Sequence, residues 1–184
     1  MSGTKPAGPR ARRDLTGRTF GNWEIVRPIG EGAFGAVYEA AHRAIRGRKA
    51  ALKILHPELA FKAESRRRFL NEASAASRAG HDNIVQVFDC GETDDGLCFV
   101  VMELLEGASV KERLRQGPML PERAIDVARQ VAAALAAVHG VGIVHRDLKP
   151  DNLFLVARDG GETLKVLDFG LAKVWDEEVH TRRA

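Results

Sequence analysis

Three glycines, Gly30, Gly32 and Gly35, lie between two short segments that alternate apolar and polar residues, Trp23-Glu24-Ile25-Val26-Arg27 and Ala36-Val37-Tyr38-Glu39-Ala40. Alternation with a period of two marks half-buried strands, so the glycines occupy a strand-to-strand turn. Glycine lets backbone amides approach phosphate oxygens with no Cβ in the way. The same glycine spacing opens dinucleotide-binding βαβ units, but there the third glycine leads into a helix and an acidic residue follows about 20 positions on. Here a strand follows, and residue 50 is Ala. The Rossmann arrangement is excluded, and a Gly-rich lid between antiparallel strands remains.

The order of the other elements narrows the fold further. Arg46-Gly47-Arg48 supplies a turn into a third strand over 49–55. A helix is predicted over 62–79, with Phe69, Ala73 and Ala76 at helical spacing and Gly80 at its stop. Strands over 84–90 and 97–104 are joined through Asp94-Asp95-Gly96, a hairpin signal. Three strands, a helix and two strands make a small α+β lobe. Ser109-Val110-Lys111-Glu112 then has the capping-box spacing, opening a short helix that ends at Gly117. Pro121 begins a longer helix on which Ile125, Ala128, Val131, Ala132, Leu135 and Val138 are expected to form the buried face.

Composition excludes other classes. At 184 residues and 45% hydrophobic the chain can build a sizeable core, and it has none of the bias of collagen-like, disulfide-scaffold or wholly disordered chains. The net charge of +3 comes from the first 20 residues, where Lys5, Arg10, Arg12, Arg13 and Arg18 face only Asp14. Residues 1–19 are therefore expected to be a flexible basic leader rather than a nucleic-acid arm, because Phe20 is its only neighbouring aromatic for base stacking. The leader lacks the apolar core of a secretory signal, and no stretch reaches the ~20 apolar residues of a membrane span. Cys90 and Cys98 match no metal-ligand spacing and read as buried reduced thiols, which places the expected location in the cytoplasm.

The chemistry-bearing residues follow in order. Lys53 lies on the third strand, where an ammonium could meet phosphates, and Glu72 lies on the helix that would pack against that strand and could hold it by an ion pair. Downstream stand His145-Arg146-Asp147-Leu148-Lys149-Pro150-Asp151-Asn152 and Leu167-Asp168-Phe169-Gly170. The Gly-rich loop, strand lysine, helix glutamate and these two strings, in this order, resemble the eukaryotic-type (Hanks-type) serine/threonine protein kinase family, most closely its bacterial members.

That resemblance implies an α+β, two-lobed kinase fold. Its N-lobe (20–104) would be complete, a five-stranded antiparallel sheet plus one helix, and a partial helical C-lobe would occupy 105–184. It implies transfer of the γ-phosphoryl of ATP, with Mg²⁺, to a Ser or Thr hydroxyl of a protein substrate. Asp147 would accept or orient the hydroxyl proton, and Lys149 would neutralise charge on the transferring group. Asn152 and Asp168, hard oxygen ligands, would hold Mg²⁺. Lys53, kept in place by Glu72, would meet the α- and β-phosphates. The nucleotide would lie under Gly30, Gly32 and Gly35, with Ile29, Val37 and Ala51 as the adenine roof, Phe154 as floor and Met102 at the back. The Glu103 carbonyl and Leu105 amide would bind the adenine edge, and Ser109 would lie near the ribose. Lys149 favours the Ser/Thr class, and Asp151 could favour basic residues near the acceptor. Arg146 resembles that of kinases switched by phosphorylation of the activation segment, in which Thr181 is the one hydroxyl after the DFG string.

The chain ends at Ala184, inside what would be the activation segment, with no Ala-Pro-Glu string. The resemblance thus implies a kinase truncated in its C-lobe, with apolar surface expected near Leu135 and Val138. The alternative is a catalytically inactive remnant that binds nucleotide or a partner. Oligomeric state is left open.

Overall fold

The computed structural model describes residues 14–158 and 161–168, except for the side chains of residues 72, 75 and 76. The resemblance-based readings of Phe169, Gly170 and Thr181, and most of the basic leader, lie outside these residues. The chain alternation becomes a six-stranded antiparallel sheet: β1 (Thr19–Phe20), β2 (Trp23–Glu31), β3 (Gly35–His42), β4 (Lys49–Leu55), β6 (Cys98–Met102) and β5 (Val87–Glu92), in that spatial order. The sixth strand, β1, is two residues long and was not expected. It forms because Phe20 buries completely against Phe99, ring edge to face at 5.4 Å, and so draws Thr19–Phe20 into register with Trp23–Glu24.

Between β4 and β5 run a single-turn helix α1 (Pro57–Ala60), started by Pro57, and α2 (Ala63–Ala79). Gly80 ends α2 in the left-handed conformation at φ +53°, which a glycine adopts without strain. Both faces of the sheet carry packed side chains, but its edge strands are partly open, and Cys90 on β5, expected to be buried, is exposed. Phe20, Trp23, Ile25, Tyr38, Leu52, Ile54 and Phe99 pack on one side, and Leu55, Phe69, Ala73, Cys98 and Val100 fill the space beneath α2 on the other. Strand β5 begins later than the apolar run suggests. Ile84 instead bridges in parallel to Val166, and the Val85 amide donates to the Val166 carbonyl at 3.1 Å.

The second unit is the partial helical lobe expected, with a small sheet added to it. It contains α3 (Val110–Arg115), α4 (Pro121–Gly140) and a three-stranded antiparallel sheet of β7 (Gly107–Ser109), β8 (Leu153–Arg158) and β9 (Gly161–Val166). The capping box at Ser109 and Glu112 is present in both directions, the Ser109 hydroxyl accepting from the Glu112 amide and the Glu112 carboxylate accepting from Ser109. Such a cap contributes about 0.5–2 kcal/mol.

The expected buried face of α4 needs correction. Val127, Gln130, Ala134 and Val138 are buried, with Val131 and Leu135 half-buried, whereas Ile125 is 68% exposed and Ala128 and Ala132 are also outward. Two apolar stripes run along this helix, and Gln130 selects between them. Its side-chain oxygen accepts the Asn83 side-chain amide at 2.9 Å and the Leu164 amide at 2.8 Å, bonds available only with that face inward. Of the two residues around which apolar surface is expected, Val138 is fully buried and Leu135 half-buried; the exposed large apolar residues of this unit include Val141 and Val144, just past the helix, as well as Leu120 and Ile125.

Candidate active site

A cleft of about 560 Å³ opens between the six-stranded sheet and the second unit. Of the residues expected to bind nucleotide, Ile29, Val37, Ala51, Lys53, Met102, Glu103, Leu105 and Phe154 line it, together with Asp168. They arrive from β2, β3, β4, the end of β6 and the connector after it, and β8, so the sheet register does the assembly. Val37 pairs with Lys53, and Ala51 with Met102. Ser109 is not among the lining residues; its hydroxyl is committed to capping α3.

The glycines frame the cleft without lining it. The Gly32 amide closes a tight turn on the Gly35 carbonyl at 2.9 Å. Gly30 lines a separate cavity of about 620 Å³ on the other face of the sheet, with Tyr38, Ile54 and His56. His56 ties the lid down: its backbone amide donates to the Phe34 carbonyl at 2.9 Å, and its ring Nε2 lies 3.0 Å from the Gly32 carbonyl. The sequence assigned His56 no such role, because the signal is a contact across a turn and not a spacing.

Lys53 is buried, and its ammonium meets the Asp168 carboxylate at 2.5 Å. Glu72 lies on α2, but its side chain is outside the described residues, so the expected Lys53 and Glu72 pair is a matter of sequence alone. Asp168 adopts φ +53° and Arg146 φ +61°, left-handed conformations that cost a residue other than glycine about 1–3 kcal/mol. One is an expected metal ligand, and the other adjoins Asp147, the expected proton acceptor.

Asp147 stands at the centre of a polar knot. Lys149 Nζ donates to its Oδ2 at 2.7 Å, and the Asn152 side-chain amide donates to its carbonyl at 2.8 Å and to Oδ2 at 3.1 Å. The Leu167 amide donates to the Asn152 carbonyl at 2.8 Å, which sets Asp168 beside the same knot. Lys111 on α3 meets Asp151 at 2.5 Å and holds the Asp151 carboxyl below its ordinary value.

Buried His145 supports this loop. Its Nε2–H donates to the Leu167 carbonyl at 2.9 Å and its Nδ1 accepts the Asp147 amide at 3.3 Å, a pairing that requires the neutral ring. Burial lowers its pKa below the ordinary 6.5, outweighing the bond to Leu167 and the nearby Asp147 and Asp168 charges. The unfolded chain therefore takes up a proton near pH 6.5 before the folded one does. The associated stability is complete above that pH and is lost as pH falls toward the depressed folded value. Urea midpoints are expected to drop between pH 7 and pH 5 in the wild type and to drop less in His145→Phe; equal drops would remove His145 as the cause.

Comparison with known proteins decides the family. The family model described as Protein kinase domain matches residues 23–184. The chain belongs to the protein kinase family. It is 43% identical over 167 residues to the serine/threonine-protein kinase Pkn1 of Myxococcus xanthus, covering 90% of this chain and 24% of that protein. It is 41% identical over 156 residues to the serine/threonine-protein kinase PrkC of Bacillus subtilis, covering 84% of this chain and 23% of that protein. The crystal structure of the Mycobacterium tuberculosis PknI kinase domain is similar at a TM-score of 0.74 and 35% identity, covering 85% of this chain and 63% of that one. The chain thus spans about a quarter of the length of the two curated relatives, both of them bacterial serine/threonine-protein kinases. Among the described residues no helix is long and apolar enough to cross a membrane.

The kinase cleft also holds residues that the sequence did not single out. Val85 and Leu167 extend its apolar wall, and Arg27, Glu39 and Lys49 stand at its edge, where the buried Glu39 carboxylate takes ion pairs from Lys49 at 2.8 Å and Arg27 at 2.5 Å. These charges alternate with apolar residues in their strands and read as solvated faces until the pairing register is known.

Proposed function

We propose that this kinase chain binds ATP in the cleft and transfers its γ-phosphoryl group to a Ser or Thr hydroxyl of a protein substrate. The observation that carries the reading is the convergence of Asp147, Lys149, Asn152, Lys53 and Asp168 beside a cleft whose opposite walls are apolar. Ile29, Val37, Ala51 and Phe154 offer the flat apolar slot an adenine needs, and the Glu103 carbonyl and Leu105 amide its polar edge. The domain division expected from the sequence, with the lobes meeting near residue 104, fits this cleft, since its lining changes from sheet to connector there.

The donor set suits Mg²⁺. Asn152 spends its amide nitrogen on Asp147, leaving Oδ1 as its remaining polar side-chain atom, and Asp168 adds a carboxylate. When bound, the metal would neutralise charge on the phosphates. The protein's own residues do the rest. Lys53 enters the cleft from β4 as a buried ammonium able to take an α- or β-phosphate oxygen in place of Asp168. Asp147 accepts the proton of the acceptor hydroxyl or orients it, and Lys149, now on Asp147, is one swing from the transferring group.

The test is transfer of labelled γ-phosphate from ATP to a Ser/Thr-containing protein by the 184-residue chain and by a chimera carrying the rest of the C-lobe of a bacterial relative. Lys53→Met is expected to lower transfer by about 10²-fold, the loss of one preorganised cation at the phosphates. A wild type that binds Mg-ATP but transfers nothing in either form would favour the inactive-remnant alternative. Transfer to tyrosine only would overturn the Ser/Thr assignment.

A further inference from the structure

Strand β9 runs Leu164-Lys165-Val166 with the two apolar residues fully buried, and the lysine between them is only 5% exposed. Its ammonium donates to Glu103 Oε1 at 2.6 Å and to the Ile84 carbonyl at 3.3 Å. Glu103 is the connector residue whose carbonyl faces the adenine slot in the reading above. The same Oε1 accepts the Gln86 amide at 2.8 Å, and the Glu103 amide returns a bond to the Gln86 carbonyl at 2.9 Å. One connector residue is thus fastened by its backbone to the segment before β5 and by its side chain to β9.

A buried ion pair is a poor source of stability, because desolvating both charges offsets most of their attraction and an apolar residue of similar volume does as well. A methionine would complete the apolar run of β9. What the pair supplies instead is position. Lys165 lies three residues before Asp168 on the same strand and its extension, so its bond to Glu103 joins the part of the cleft that meets the base to the part that meets the phosphates.

We infer that Lys165 is a positioning residue for nucleotide binding: through Glu103 it holds the connector backbone in the register that receives the adenine edge. This rests on the nucleotide reading of the cleft. Among the described residues the Lys165 ammonium bonds to Glu103 and Ile84 and to no phosphate-binding group, so its effect falls on the base and not on the phosphate chain.

The experiment measures dissociation constants of the full chain for ATP, adenosine and inorganic tripolyphosphate in Mg²⁺ buffer. In Lys165→Met, ATP and adenosine are expected to weaken by a common factor of about ten, equivalent to about 1.4 kcal/mol, with tripolyphosphate unchanged. Lys165→Arg, which restores a cation able to reach the carboxylate, returns both to within about twofold of wild type. Glu103→Gln keeps an oxygen for the Gln86 amide and drops the charge; it shifts the same two ligands in the same sense, and supplies the reading if the methionine variant does not fold. Lys165→Met with unmoved affinities, or with all three ligands weakened alike, overturns the assignment of Lys165 alone. A wild type that binds tripolyphosphate but neither ATP nor adenosine overturns the nucleotide reading and this inference with it.

Discussion

Asp147→Asn is expected to lower γ-phosphoryl transfer by about 10³-fold, within the range that a positioned proton acceptor contributes. ATP affinity is expected to stay within about twofold, because Asp147 is not among the residues lining the adenine cleft. Asparagine keeps the shape of aspartate and one acceptor oxygen, so Lys149 and Asn152 retain a partner at that position; only the negative charge and its basicity are lost. The surrounding loop is held independently of that charge by the bond from His145 to the Leu167 carbonyl and by the Leu167 amide on the Asn152 carbonyl. A drop in transfer with unchanged ATP binding and unchanged urea midpoint therefore isolates the chemistry. Equal transfer by the variant would remove Asp147 as the base.

The residues that carried this reading were legible because their signals are local. A capping box needs only four residues, and Ser109 and Glu112 satisfy each other whatever lies around them. Gly80 stops α2 for a reason written in its own backbone. Motif strings such as that around Asp147 are similarly short. What the sequence could not show depends on distant partners. Two apolar stripes compete for the inner side of α4, and the choice is made by Gln130 through Asn83 and Leu164, neither of them near it in the chain. Ile84 has the composition of a strand beginning, yet it joins Val166 because β9 passes beside it. Lys165 reads as the polar member of an alternating strand until the structure shows that both faces of that strand are covered. The partner of Lys53 among the described residues, Asp168, stands 115 positions away, and the resemblance pairs Lys53 with Glu72 instead.

The Gly-rich turn separates into two kinds of glycine, and substitution should expose the difference. A Cβ placed on Gly35 would stand 2.1 Å from the Ile54 carbonyl oxygen and 2.9 Å from its carbon, both backbone atoms of the neighbouring strand. Neither a rotamer change nor a side-chain shift relieves that contact; β3 must move away from β4 where Gly35 pairs with Leu55. A Cβ on Gly32 would have the Gly35 carbonyl as its nearest neighbour at 3.9 Å, an ordinary contact. Gly35→Ala is therefore expected to destabilise the fold by about 3 kcal/mol or more, the scale of overpacking against an unyielding neighbour, and Gly32→Ala by less than about 1 kcal/mol. Function should divide differently. Separating β3 from β4 also displaces Val37 from Lys53, its register partner in the cleft, so Gly35→Ala weakens ATP binding along with stability. Gly32→Ala leaves that register intact and adds its methyl at the lid, so any loss of ATP affinity appears without a matching fall in the urea midpoint. If Gly35→Ala unfolds at the same urea concentration as Gly32→Ala, the close approach of the two strands at Ile54 is not what requires a glycine there.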